Sequence, residues 1–238
     1  MKEIESVIHS INNRLTQPKI VRLCIIISFA LFLPSLLVGS IIAMIWGPQG
    51  YSIWTNYISD LGSFNYTPAP FILDFSAMIT SIFLIPVVLF FNKMLKTTSN
   101  REEGKKEQSE YRYIRHLGLL FLFIGLIGFF GIGLFSEDRS TALGLHYLFS
   151  VVVFGGLTLG AFFSGIYIIL EATIFRKFLG IYMTVIPLST AILFLITPEP
   201  FTKQFLEWLM LFGILIWLLI VDLKMLKSLK LRNRRNYS

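Results

Sequence analysis

The sequence predicts an all-α, polytopic membrane protein, a bundle of six transmembrane helices with an ordered first outer loop. Three observations predict it: six apolar runs, a composition that is 55% hydrophobic with a mean hydropathy of +0.70, and a one-sided distribution of Lys and Arg. Each run has about 16 to 26 residues, which brackets the ~20 that a helix needs to cross ~30 Å of hydrocarbon. The runs cover residues 21–46, 71–95, 117–135, 147–170, 181–196 and 206–226.

The chain divides into an N-terminal segment (1–19), a six-helix transmembrane domain (20–226) and a basic tail (227–238). Apolar residues recur at helical spacing in the first segment: Ile4, Val7, Ile8, Ile11 and Leu15. This pattern predicts a short amphipathic helix on the membrane surface that stops near Pro18, and a helix that docks on a partner is the alternative. The polar stretch 97–109 has the composition of a flexible linker.

The basic residues predict the orientation of the chain. Of 21 Lys and Arg residues, all except Arg139 and Lys203 fall on the side of the N-terminus. The positive-inside rule then predicts a multi-pass protein of the cell membrane with both termini cytoplasmic. The net charge of +7 is explained by this orientation and by attraction to anionic lipid headgroups, so we expect membrane lipids and no nucleic acid as partners.

Small residues mark the third and fourth spans. Five glycines lie along the third span, and Gly156, Gly160 and Ser164 recur every four residues in the fourth. Because small residues let helix backbones approach closely in lipid, the pattern predicts a tight antiparallel pair of these spans. A stripe that lines a substrate groove is the alternative, and a homo-oligomer formed through the same faces is a further prediction.

The outer side of the predicted bundle is acidic. The first outer loop, 47–70, contains aromatic and amide side chains but no Lys or Arg, and a loop of this length is expected to fold back onto the bundle. Six acids lie on this side against two bases: Asp60, Asp74, Glu137, Asp138, Glu199 and Glu207. Asp222, near the other end of the sixth span and beside Lys224, is interpreted as half of an interfacial ion pair.

A candidate site combines these acids with a histidine. Asp60, Asp74, Glu137, Asp138 and His146 are expected at one depth, and carboxylates with an imidazole suit general acid–base chemistry or a divalent metal ion. His146, Asp60 and Asp138 are therefore the candidate catalytic residues. A polar helix-end role for His146 and a helix-capping role for Asp74 are the structural alternatives. The single cysteine, Cys24, excludes an intrachain disulfide and a Cys-based zinc motif.

Two loop motifs resemble known families. The segment 54–62, Trp-Thr-Asn-Tyr-Ile-Ser-Asp-Leu-Gly, resembles the signature loop of a prokaryotic membrane-protein family catalogued as domain of unknown function 998. Residues 133–138, followed by His146 and Ser150, resemble its second signature. The Ile-Ser-Asp-x-Gly core and the following Thr67-Pro68-Ala69-Pro70 are more distantly similar to Frag and DRAM-type proteins, which are linked to lipid-anchor remodelling and autophagy.

The resemblance emphasises a set of pocket residues beside the catalytic candidates. The predicted pocket residues are Asn56, Ser59, Gly62, Asp74, Glu137 and Ser150. Asp74 is not part of either motif and is included because it lies in the first turn of the second span. The Ser-Asp-x-Gly pattern predicts a tight turn in which Ser59 or Asp60 accepts backbone N–H groups and Gly62 takes a positive φ. The structural alternative to a ligand pocket is that the loop only caps the bundle, with His146 hydrogen-bonded to Asp60 as a latch.

Three functions remain open from the sequence. The first is binding or organising lipid at the outer leaflet through a polar pocket under the first outer loop. The second is a membrane-embedded enzyme that acts on lipid headgroups, with His146 as acid or base and Asp60, Glu137 or Asp138 as orienting group or metal ligand. The third is transport of a small solute, which the absence of a charge at mid-span and of an internal repeat disfavours.

Overall fold

The computed structural model describes residues 2–99, 109–171 and 173–235, and within these ranges the chain is helical with no strand. Six of the seven α-helices there are long and apolar enough to cross a membrane, which confirms the predicted fold class. The helices are α1 (Lys2–Leu15), α2 (Pro18–Trp46), α3 (Phe71–Ser99), α4 (Ser109–Leu134), α5 (Leu145–Leu170), α6 (Lys177–Ile196) and α7 (Lys203–Arg235).

The polar flanks of the spans are helical too. Helix α3 continues to Ser99 and α4 begins at Ser109, so helix enters both ends of the predicted linker, whose remainder (100–108) lies outside the described residues. Helix α7 runs on to Arg235, through most of the segment assigned to a basic tail; residues 236–238 lie outside the description. Lys and Arg are good helix formers, so a change from apolar to basic residues does not end a helix.

The N-terminal segment folds as a separate short helix. Helix α1 leaves Val7 and Ile11 about half exposed, at 53% and 52%. It ends where the Thr16 hydroxyl donates to the Asn12 carbonyl at 2.8 Å, and α2 starts two residues later with Pro18 in its first turn. Proline is tolerated there because the first N–H groups of a helix have no helical partner.

Helices α4 and α5 form the tight antiparallel pair that their glycines predict. A methyl group placed on Gly118 would lie 2.6 Å from Ser164 Oγ, and one on Gly125 would lie 2.8 Å from the Leu157 backbone nitrogen. The two backbones therefore touch where any larger residue would push them apart. The homo-oligomer through these faces stays a prediction.

The remaining helices close around an axial space. Each helix from α2 to α6 packs against the next, and α7 packs on α6 and also reaches α2, α3 and α5. We call the end that carries the segments 47–70 and 135–144 the loop end, and the end that carries α1 and the last turns of α7 the terminal end. Trp217 and Met225 are fully buried on α7, so this helix is a central element of the core.

Candidate functional site

A central cavity of ≈ 100 Å³ lies between α2, α3, α4, α5 and α7. At the loop end it is lined by the polar residues Ser59, Asp74, His146, Ser150 and Glu207. Its body is lined by apolar side chains, among them Phe29, Phe32, Ala77, Leu84, Phe129, Phe154, Leu211, Ile214, Leu215 and Leu218. Three polar residues, Ser28, Thr80 and Asp222, interrupt this apolar wall further down.

One face of α7 spans the whole cavity. Glu207, Leu211, Ile214, Leu218 and Asp222 follow one another at steps of three or four residues, so they share a helix face, and all five line the cavity. Asp222 follows Glu207 by fifteen positions, which corresponds to about 22 Å along a helix that rises 1.5 Å per residue. The cavity is therefore an elongated channel with a carboxylate near each end.

The first loop is ordered because it is fastened to α7. The Trp54 ring stacks on the Phe205 ring with centroids 4.1 Å apart, and the Thr202 hydroxyl donates to the Trp54 carbonyl at 2.7 Å. Deeper in, the Ile58 N–H donates to Glu207 Oε2 at 2.7 Å. Glu207 thus lines the cavity and holds the loop above it.

The predicted tight turn forms at Ser59–Gly62, as one turn of 3-10 helix. Asp60 is only 5% exposed, and its Oδ2 accepts hydrogen bonds from Asn56 Nδ2 at 3.1 Å and from the Tyr57 N–H at 3.0 Å. The expected positive φ at Gly62 is wrong. Gly62 is needed for close approach instead, because a methyl group there would lie 2.7 Å from Asp74 Oδ1.

Burial raises the proton affinity of the acidic groups in the loop layer, and neighbouring negative charges raise that of Glu137 and Tyr51 further. Burial raises the pKa of Asp60, and the hydrogen bonds from Asn56 and Tyr57 offset part of that rise. Glu137 lies at the exposed rim, where partial desolvation and then the negative charges of Asp60 and Asp138 raise its pKa. Burial, followed by the charges of Asp60 and Glu207, likewise raises the pKa of the Tyr51 hydroxyl. The loop end therefore disfavours further negative charge and favours a cationic group.

Two further acids connect the loops. Asp138, although exposed, accepts hydrogen bonds from Ser63 Oγ at 2.7 Å and from the Phe64 N–H at 2.6 Å. Asp74 forms an ion pair at 2.8 Å with Arg139, which also donates to the Gly133 carbonyl at 2.7 Å. Asp74 is thus half of a partly buried ion pair that joins α3 to the segment after α4.

His146 lines the cavity, and one of its ring nitrogens has no hydrogen-bond partner in the described part of the chain. Its Nδ1 lies 2.8 Å from the carbonyl oxygen of Phe135. Because a carbonyl can only accept, Nδ1 carries a proton, and in the neutral ring Nε2 then keeps a lone pair. Nε2 is buried and has no hydrogen-bond partner among the described residues. The expected latch to Asp60 is wrong, since Asp60 bonds to Asn56 and Tyr57 instead.

The predicted site residues separate into two layers. Those that line the cavity are Ser59, Gly62, Asp74, His146 and Ser150, whereas Asn56, Asp60, Glu137 and Asp138 belong to the loop layer that covers it. Among residues 2–99, 109–171 and 173–235, no group of three or more His, Cys, Asp or Glu side chains is placed to hold a metal ion. Catalytic and pocket roles for these residues stay predictions.

Two cavity acids are absent from the site that the sequence predicts. Glu207 counts only as one of the outer acids in the sequence, yet it is 7% exposed and lines the cavity. The expected Asp222–Lys224 pair is wrong, because Asp222 is 1% exposed and neither of its oxygens has a partner in the described part of the chain. The signal that identifies both is their shared helix face, with leucine and isoleucine between them.

Comparison with known proteins identifies the family. No curated protein and no solved structure matches the chain. The resemblance to the prokaryotic family of unknown function rests on the two loop motifs and stays a prediction. The family model described as the Frag1/DRAM/Sfk1/Cwh43P N-terminal domain matches residues 20–226, which contain four of the six spans completely and most of the first and the last. The chain therefore belongs to the Frag1/DRAM/Sfk1/Cwh43P N-terminal domain family of membrane proteins.

Proposed function

We propose that this protein binds a lipid, with the headgroup at the loop end under residues 47–70 and the hydrocarbon in the body of the cavity. The observation that carries the proposal is the distribution of polarity along the cavity, which is apolar in its body and polar at its loop end. A largely apolar cleft with a few convergent polar groups is the usual form of a ligand pocket.

The charges at the loop end favour a headgroup that contains an amine. Glu207 lines the cavity and has one backbone N–H as its hydrogen-bond donor, while Asp60 and Glu137 lie in the layer just above. An ammonium group would offset these acids and could donate a hydrogen bond to His146 Nε2, which satisfies a buried acceptor. A headgroup that is only anionic would meet repulsion at the same place.

The distribution of basic residues supports an assignment to the outer leaflet. The terminal end carries nearly all Lys and Arg residues, so the positive-inside rule makes it cytoplasmic and turns the loop end outward. This orientation, in the cell membrane, is part of the proposal. The Frag and DRAM-type resemblance, which implies lipid-anchor remodelling, agrees with a lipid ligand.

Mass spectrometry of co-purified lipids tests the proposal with a matched pair of variants. Leu215→Trp fills the cavity, whereas Ile216→Trp places the same ring on a neighbouring position that is 46% exposed. We expect one amine-bearing lipid class to be enriched in the wild type and in Ile216→Trp. Leu215→Trp should reduce it about tenfold, which corresponds to about 1.4 kcal/mol of binding free energy. Bulk lipid in equal proportions in all three proteins would contradict the proposal.

A membrane-embedded enzyme acting on lipid headgroups is the second candidate, and the state of His146 favours it. With Nδ1 protonated toward Phe135 and Nε2 unprotonated and buried at the cavity wall, the neutral ring is held in the tautomer that can accept a proton from a substrate hydroxyl or water. If the enriched lipid is recovered chemically unchanged after incubation with the purified protein, binding alone is supported. Solute transport remains the third alternative.

A further inference from the structure

The terminal end of the cavity contains an acid that neither the loop nor the lipid proposal uses. Asp222 lies within the membrane-spanning part of α7, Lys203–Lys230, and is 1% exposed. It lines the cavity, and both carboxylate oxygens are buried without a hydrogen-bond partner among the described residues. An isolated carboxylate in this environment is strongly unfavourable unless a proton or another cation neutralises it.

Hydroxyl oxygens line the same space. Ser28 on α2 lines the cavity, and its Oγ is also buried without a partner in the described chain. Ser28 on α2 and Asp222 on α7 both lie in the half of their helix that is nearer the terminal end. Thr80 on α3 also lines the cavity, and its Oγ1 is equally unpartnered in the described ranges.

We propose that the terminal end of the cavity, between Asp222 and Ser28, is a binding site for one small monovalent cation. The available donors are all oxygen atoms, which alkali and alkaline-earth ions prefer over softer metals. A single carboxylate balances a single positive charge, and no group of three acids or histidines forms a cage for a divalent ion within the described ranges. Apolar side chains separate this site from the loop end, so it does not depend on the lipid proposal.

Sodium-dependent stability of the purified full-length protein tests the site. Melting temperature is measured while sodium replaces N-methylglucamine at constant ionic strength and pH, and sodium bound per chain is counted by equilibrium dialysis. We expect saturable stabilisation and about one sodium ion per chain. Asp222→Asn should abolish both effects, and Ser28→Ala should raise the half-saturating sodium concentration about tenfold. Glu199 is an exposed acid at the loop end, so Glu199→Gln is the matched control. Its melting temperature should depend on sodium as that of the wild type does.

Several outcomes would overturn the site. One is equal melting temperatures in sodium and N-methylglucamine, and another is sodium stabilisation that persists in Asp222→Asn. Stability that depends on pH but not on sodium would mean that Asp222 binds only a proton, which also overturns the proposal. If Asp222→Asn does not fold, the wild-type titration and Ser28→Ala still decide, because neither removes the carboxylate.

Discussion

The acids at the two ends of the cavity differ in whether protein groups bind their carboxylates. Four acids at the loop end have hydrogen-bond or ion-pair partners in the protein. Asp60 pairs with Asn56 and Tyr57, Asp74 with Arg139, Asp138 with Ser63 and Phe64, and Glu207 with Ile58. At the terminal end Asp222 is more deeply buried than any of these and has no partner in the described chain.

The acids at the loop end therefore have a structural role, whereas Asp222 is the acid that we propose to bind a ligand. The loop-end partners are mostly backbone N–H groups or side chains of the two loops, so these carboxylates replace the hydrogen bonds that regular secondary structure would supply. A loop of irregular structure against a membrane protein needs such acceptors, because its N–H groups would otherwise be unsatisfied. Removing a loop-end acid or its partner should therefore destabilise the fold, whereas neutralising Asp222 should not.

The largest effect is expected from Arg139→Ala. This variant leaves Asp74, whose side chain is 6% exposed, as a buried carboxylate without its cation, and we expect a loss of about 2 kcal/mol in the free energy of unfolding. Thermal unfolding in detergent measures it. The double variant Arg139→Ala with Asp74→Asn removes the charge as well and should recover part of the loss. An unchanged melting temperature in the single variant would mean that water already satisfies Asp74.

Asp138→Ala should have a smaller and more local effect. Asp138 is exposed, so its two bonds to Ser63 and Phe64 contribute about 1 kcal/mol to loop closure rather than to global stability. Hydrogen exchange at the Phe64 amide should accelerate, while exchange in α4 and α5 stays as in the wild type. Asp138→Asn keeps one acceptor oxygen, so its exchange rate at the Phe64 amide should lie between those of the wild type and Asp138→Ala. Equal exchange at Phe64 in all three proteins would show that other contacts hold the loop.

The spans could be predicted from sequence because they follow from local properties. Hydropathy over about 20 residues and the small residues of α4 and α5 need no knowledge of distant contacts, so both the six-helix bundle and its tight pair are predicted correctly. The turn at Ser59–Gly62 is also local. The reason for Gly62 is not local, because the obstacle to a side chain is Asp74, twelve residues later and on another element.

The cavity acids were harder to predict because burial depends on which face of a helix meets its neighbours. Asp222 stands beside Lys224 in sequence, which suggests an ion pair, but residues two apart on a helix do not face each other. Glu207 looks like an ordinary acid near a helix start until α7 is known to line the cavity. His146 was identified, yet its partner is the Phe135 carbonyl, which no side-chain pattern indicates.

The smallest effect concerns the pH dependence of the loop. The pKa of Asp60 is raised above its ordinary value of 3.8, so the folded loop binds this proton more tightly than the unfolded loop does. Its contribution to stability is therefore fully present below pH 3.8 and is lost as the pH rises through the folded-state pKa, and Glu137 acts in the same direction. Exchange at the Tyr57 amide, corrected for its intrinsic pH dependence, should show easier opening as the pH rises from about 4 toward neutrality. Asp60→Asn removes this ionisation while its side-chain oxygen can still accept the Tyr57 N–H, so its opening should vary less with pH. A pH profile identical to the wild type would assign the dependence to Glu137, and the buried turn would then be held by hydrogen bonding alone.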